Sequence, residues 1–166
     1  MQAASNKLVS VADSIAKWNN RKREMMERIK PNYYDRFTCI ADKCTFTCCQ
    51  EWKIAVDNET NRKWKKKYPP QEVKVQRKNL SAYTTKKDRG RVIRLDEEHK
   101  CPFLSENRLC RLVSAYGDSV LSETCTVFPR EVHRFETHEE EVLMPCCPAV
   151  IDLWAEEENV VFPEVP

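Results

Sequence analysis

Cys39-Ile-Ala-Asp-Lys-Cys44-Thr-Phe-Thr-Cys48-Cys49 sets four thiols within eleven residues. Cys101, Cys110, Cys125 and the pair Cys146-Cys147 follow downstream. A thiolate is a soft anionic ligand, and four of them drawn from two or three segments satisfy zinc or an iron–sulfur cluster. Zinc ribbons show paired C-x2-C knuckles, and this chain has none. The observed order, C-x4-C-x3-CC, then C-x8-C, then single and paired cysteines further on, suits a 4Fe–4S cluster enclosed by loops, with zinc as the alternative. Neighbouring side chains diverge, so one member of Cys48-Cys49 is expected to pack or to face a second site. The spacing predicts an α+β domain, mostly helical with short strands or hairpins, whose irregular loops are organised around a cysteine-ligated metal centre.

Composition bounds the rest. The chain has 166 residues, 41% hydrophobic and 33% charged, the balance of a folded domain with at most a small extension. No apolar run reaches the roughly 18 residues a membrane helix needs, and the first residues lack the apolar centre of a signal peptide. The reading is therefore cytoplasmic with no membrane partner. There the odd count of nine cysteines points to ligands rather than bridges. There are only two glycines, Gly90 and Gly117. A Rossmann loop, a P-loop and a glycine-rich S-adenosylmethionine loop all need several close together, so none is expected. The radical signature C-x3-C-x2-C also fails: Cys44 and Cys48 supply its first half, but Glu51 stands at the third position.

Charge is uneven although the net is only +2. Thirteen Lys or Arg lie between Arg62 and Arg94 against Glu72 and Asp88, whereas from Phe135 onward nine Asp or Glu meet no Lys or Arg. That asymmetry predicts either pairing between two faces of the molecule or a polar partner. The compensating acidic segment disfavours nucleic acid.

Along the chain, Leu8, Val11, Ile15, Trp18, Met25 and Ile29 fall near helical spacing. They predict an amphipathic helix over 1–30, with self-association through it as one use. The cysteine-cluster domain follows over 31–158, and 159–166 is read as a tail. Asp57 is placed as the cap of a helix stopped before Pro69-Pro70. Pro70 is expected to open another, with Val73, Gln76, Leu80 and Tyr83 on one face. Thr84 to Gly90 reads as a polar connector and Arg91 to Leu95 as a strand. Cys101 to Cys110 reads as a tight reversal, and short helices follow. A hairpin turns near Thr137-His138, and Pro148 starts a last helix.

Phe37 to Ile54 with Asp57, Cys101-Pro-Phe-Leu104, Leu109-Cys110, Leu121-Ser-Glu-Thr-Cys125-Thr-Val-Phe-Pro129-Arg130 and Cys147-Pro148 together resemble, in order, the blocks of the flagellin lysine-N-methylase (FliB) family. The later blocks also resemble small cysteine-cluster proteins described as zinc or iron chelators. The resemblance covers about residues 33–155. It implies a protein that methylates lysine side chains of flagellin and carries an iron–sulfur cluster, with S-adenosylmethionine as the expected donor. Its family-type cysteines are Cys39, Cys44, Cys48, Cys49, Cys101, Cys110, Cys125 and Cys147, and Cys146 is left out. The alternative is a non-catalytic zinc- or iron-binding interaction module. Lysine methylation needs an apolar channel for the lysine stem. Trp52, Tyr33, Tyr34 and Trp64 are candidates for it, or else for the core, with Glu51 as a possible base and Arg130 as a partner for cluster sulfides or a donor carboxylate.

Overall fold

The computed structural model describes Asp13, Lys17 and residues 26–88 and 90–162. Within them the architecture is mixed α+β, built on two small sheets. Strands β1 (Glu27–Ile29), β5 (Arg130–Arg134) and β6 (His138–Leu143) form one sheet in the order β1-β6-β5. Strands β2 (Ala55–Val56), β3 (Thr84–Lys87) and β4 (Gly90–Ile93) form the other in the order β2-β4-β3. Helices α1 (Asn58–Trp64), α2 (Arg111–Tyr116), α3 (Glu123–Val127) and α4 (Pro148–Ala155) are short, none longer than eight residues. The weight that the sequence reading gave to helix is therefore reduced.

Two apolar cores organise these elements. The first gathers Ile54, Val56, Trp64, Val73, Leu80, Tyr83, Ile93, Phe103, Leu112 and Val120 around the β2-β4-β3 sheet. Trp64 and Phe103 meet edge to face with centroids 5.8 Å apart, and the Trp64 indole donates to the Val120 carbonyl at 2.8 Å. That bond satisfies the polar handle of a ring that is 1% exposed. The second core packs Tyr33, Tyr34, Phe37, Leu143 and Val150 between the β1-β6-β5 sheet and α4. Trp52 and Phe128, 5.3 Å apart, join one core to the other.

Several expectations hold. Asp57 caps α1 by accepting from the Thr60 amide at 2.8 Å. β5 and β6 form the hairpin, in register from Arg130↔Leu143 to Arg134↔Glu139. Pro148 occupies the first turn of α4, where its missing N–H costs no helical bond.

Others are corrected. The segment after Pro70 is not helical: turns and bends run to Asn79, and a 3-10 turn covers Leu80–Tyr83. Side-chain amides explain it. Gln76 donates to the carbonyls of Pro70 and Val73 at 2.8 and 2.9 Å, and Asn79 accepts from the Ala82 amide at 3.1 Å. These bonds give the backbone an alternative to the helical ladder. Val73, Leu80 and Tyr83 are buried nonetheless. Thr84–Lys87 is a strand, not a connector, pairing from Thr84↔Ile93 to Lys87↔Gly90. It is an edge strand, where exposed lysines discourage further pairing, so its composition resembles a loop.

The helix expected over 1–30 falls mostly outside the described residues. Asp13 and Lys17 are helical, but Glu27–Ile29 is a strand. It pairs in parallel with β6, Arg28 reaches Glu139 and Glu141 at 3.6 Å each, and Ile29 is buried. The described end of the tail is also anchored. Asn32 and Val161 exchange two hydrogen bonds, at 3.1 and 3.2 Å, and Arg36 pairs with Glu157. No helix among the described residues is long and apolar enough to cross a membrane.

Candidate metal centre

Three segments converge on the first core and bring five cysteines with them. Backbone pairing places the first two segments side by side: the Cys101 amide donates to the Cys49 carbonyl at 2.7 Å, Gln50 bridges Lys100, and the Glu51 amide donates to the His99 carbonyl at 2.9 Å. The reversal foreseen between Cys101 and Cys110 then closes through a Leu104–Cys110 bridge and the Arg111 amide on the Phe103 carbonyl at 2.8 Å. Helix α3 delivers Cys125. Its cap, Ser122, is fully buried and accepts from the Cys125 amide, while the second carboxylate oxygen of Asp57 accepts from Glu123 at 3.1 Å.

Burial and mutual proximity set the electrostatics of this group. Burial pushes the Cys101 thiol well up, and the neighbouring Cys110 and Cys125 push it the same way. Burial also raises Cys125, against a hydrogen bond with Ser122. The adjacent pair splits. A hydrogen bond with the Cys49 thiol lowers Cys48 to about 7, and the same bond, with burial and the charges of Cys101, Cys48 and Cys110, drives Cys49 up. Trp52 supports this pair from outside by donating to the Cys48 carbonyl at 2.6 Å.

Cys39, Cys44 and Cys147 are linked by their charges. Cys147 belongs to the second core, at the start of α4. Burial raises its thiol against the Val150 and Ala149 amides, and Cys44 and Cys39 are the thiols whose charge it feels. Cys44 points its thiol at the Phe46 carbonyl, 2.8 Å away, and Arg108 fixes the Cys44 carbonyl at 2.6 Å. The eight family-type cysteines thus divide into a group of five and a group of three, and the opening stretch contributes to both. Cys146 is exposed.

Among the described residues, no three Cys, His, Asp or Glu side chains already surround a point that would hold an ion. The fit of a metal rests on the kind of donor. Cys101 is buried, Cys49, Cys110 and Cys125 are half-buried and Cys48 is exposed, and clustered thiols of this kind are ligands that a soft cation stabilises by replacing their protons. The five suit iron–sulfur or zinc chemistry in number and type.

The other candidates resolve as follows. Tyr33, Tyr34 and Trp64 are buried in the cores. Arg130 lies over the Tyr34 and Phe37 rings, 5.6 and 5.2 Å from their centroids, and donates to the Phe37 carbonyl at 3.3 Å. Glu51 is exposed, with φ at 65°. Sequence reasoning missed Ser122 and Arg108. A serine three residues before Cys125 carries the spacing of a helix cap and was readable as one, whereas Arg108 meets Cys44 only through the fold. A cleft of about 460 Å³ opens beside Cys101, bounded by Phe46, Lys74, Val75, Lys100 and Arg108.

Comparison with known proteins gives three relatives. The chain is 29% identical over 132 residues to the lysine-N-methylase of Salmonella typhimurium, a match covering 73% of this chain and 30% of that protein. It is 30% identical over 132 residues to the flagellar biosynthetic protein FliU of Salmonella muenchen, covering 73% of this chain and 72% of that protein. The lysine-N-methylase of Salmonella choleraesuis is 28% identical, again over 30% of its length. The chain therefore spans less than a third of the two lysine-N-methylases. No family model matches it, and no solved structure matches it.

Proposed function

The chain belongs to the family of the flagellin lysine-N-methylase FliB and its relative FliU, and from that premise we propose that it is a lysine N-methyltransferase-like protein acting on flagellin, with an iron–sulfur cluster held among Cys48, Cys49, Cys101, Cys110 and Cys125. The observation that carries the reading is the coincidence of two facts. Two of the three relatives are named for lysine methylation, and the blocks that resemble the family include those that bring the five thiols together. A cluster bound there would supply either a redox centre or a structural tie between the three segments. The chain's own residues set its surroundings. The Cys49–Cys101 backbone bond fixes two of the segments, Ser122 and Asp57 fix the third, and Trp52 holds the Cys48 carbonyl.

The chemistry of the substrate is demanding. A lysine amine must lose its proton before its lone pair attacks the methyl carbon of a sulfonium donor, releasing the thioether. S-adenosylmethionine is the expected donor. A second reading, a non-catalytic zinc- or iron-binding module, is favoured by one observation: with two glycines in the whole chain, no glycine-rich donor loop exists within it.

Two measurements separate the readings. Protein purified without oxygen is expected to be brown, with iron and acid-labile sulfide in equal amounts. A colourless protein carrying stoichiometric zinc removes the iron–sulfur assignment. Incubation with radiolabelled S-adenosylmethionine and flagellin is expected to mark flagellin lysines, and a metal-replete chain that transfers no label leaves the binding module.

A further inference from the structure

The basic stretch Arg62–Arg94 is not neutralised by the acidic C-terminal segment. Glu139 and Glu141 take Arg28, Glu139 also takes Arg134, and Glu157 takes Arg36. Among the described residues no ion pair joins that acidic segment to the stretch. Three pieces of the stretch are instead stitched into one surface. Asn79 donates to the Lys65 carbonyl at 3.1 Å, Leu80 to the Lys67 carbonyl at 2.9 Å, the Arg77 amide to the Tyr83 hydroxyl at 3.1 Å, and the Arg94 amide to the Tyr83 carbonyl at 2.8 Å. Lys65, Lys66, Lys67, Lys74, Lys78 and Arg94 are exposed around this seam. Self-repulsion on that scale costs stability unless an anionic partner offsets it.

Two large side chains stand open in the same field: Tyr68, 76% exposed, and Val75, 60% exposed. A surface that grips nucleic acid offers rings for stacking and arginines for base edges. Here Trp64 and Tyr83 are buried and Arg77 lies over the Tyr83 ring, so Tyr68 is the one open ring of the three aromatics in the stretch. An exposed tyrosine and valine inside a charged rim instead match the anatomy of a protein–protein contact, in which the apolar centre anchors and the charges steer. Lys74 and Val75 also line the cleft that reaches Cys101, so a protein seated on this face lies next to the five-thiol group.

We infer that the Arg62–Arg94 face is a docking surface for an acidic patch on the protein substrate, with Tyr68 and Val75 as its apolar anchors. The inference rests on the methylase reading for the word substrate; the surface itself rests on the charge and exposure above. It also sets a specificity. The face repels cationic surroundings, so the lysines modified are those carried beside acidic surface.

The test uses the whole chain and two fluorescent probes, poly-L-glutamate and purified flagellin, with polyuridylate as competitor. Both polypeptides are expected to bind and to weaken as salt rises. Lys66→Glu/Lys78→Glu should weaken binding about tenfold, whereas the charge-matched control Lys17→Glu/Lys43→Glu should leave it within about twofold. Tyr68→Ala should weaken binding without changing the salt dependence. Circular dichroism and melting confirm that each variant is folded. Equal losses in the two charge-matched variants, or polyuridylate binding more tightly than either polypeptide at the same salt, overturn the docking surface. Binding of poly-L-glutamate but not flagellin keeps the surface and removes flagellin as its substrate.

Discussion

Asp57 holds two helices at once. One carboxylate oxygen caps α1 through Thr60 and the other reaches the Glu123 amide at the start of α3, the helix that carries Cys125. Burial opposes the charge, but the Thr60 and Glu123 amides outweigh it and hold the carboxyl at about 2, below the ordinary 3.8. A lowered folded value means that the ionised form stabilises the fold. That stabilisation is complete above about 3.8 and is lost as the pH falls through about 2. Asp57→Ala is therefore expected to cost about 1–2 kcal/mol at neutral pH, the range of a lost helix cap. Its deficit against the parent should shrink between those two pH values. Urea unfolding at pH 7, 4 and 2 checks this, and a deficit independent of pH would assign the effect to packing. Ser122→Ala should behave differently. Its hydroxyl is neutral and fully buried at the cap of α3, so its cost of about 1 kcal/mol should not vary with pH.

At the scale of elements, β1 is held by charge as much as by its backbone. Glu139 is nearly buried on the central strand β6, while Arg134 and Arg28, which reach it from either side at 2.9 and 3.6 Å, are largely exposed. The two ends of this pairing are not equivalent. Removing an exposed arginine costs little in solvation, but it leaves a buried carboxylate short of partners, which is the expensive outcome. Replacing both arginines, Arg28→Leu/Arg134→Leu, should thus destabilise the domain by about 2–3 kcal/mol, more than Glu139→Gln, as measured by chemical unfolding. Amide exchange at residues 27–29 should accelerate in the double variant. The same strand shows where sequence reading runs out. Helical spacing over the first thirty residues said nothing of Glu27–Ile29, because its pairing partner lies more than a hundred residues away. The segment after Pro70 misled for the opposite reason. Val73, Leu80 and Tyr83 have the burial that their spacing suggested, but Gln76 and Asn79 spend their amides on the backbone and leave no helix. Asp57, the β5–β6 hairpin and Pro148 were legible because their signals are local.

For the molecule as a whole, the cysteine stretch contributes thiols to two neighbourhoods. Composition and spacing lead to the expectation of a thiol centre and the family blocks suggest its members, but only the fold sets Cys48 among the thiols whose charge acts on Cys49 and Cys125, with Cys101 and Cys110, and sets Cys39 and Cys44 among those whose charge acts on Cys147. That partition predicts unequal consequences when thiols are removed. Cys101→Ser and Cys110→Ser should abolish the visible absorbance of the anaerobic protein. Because a metal bound only by the folded chain adds its binding energy to stability, they should also lower the melting temperature to that of the chelator-treated parent. Cys146→Ser should change neither property. Cys39→Ser and Cys147→Ser decide how far the partition extends. If the group of three is separate, both variants keep the absorbance and lose only the stability that comes from the second core. If either bleaches the protein as fully as Cys101→Ser, the two groups serve one cluster and the chain closes around it on binding.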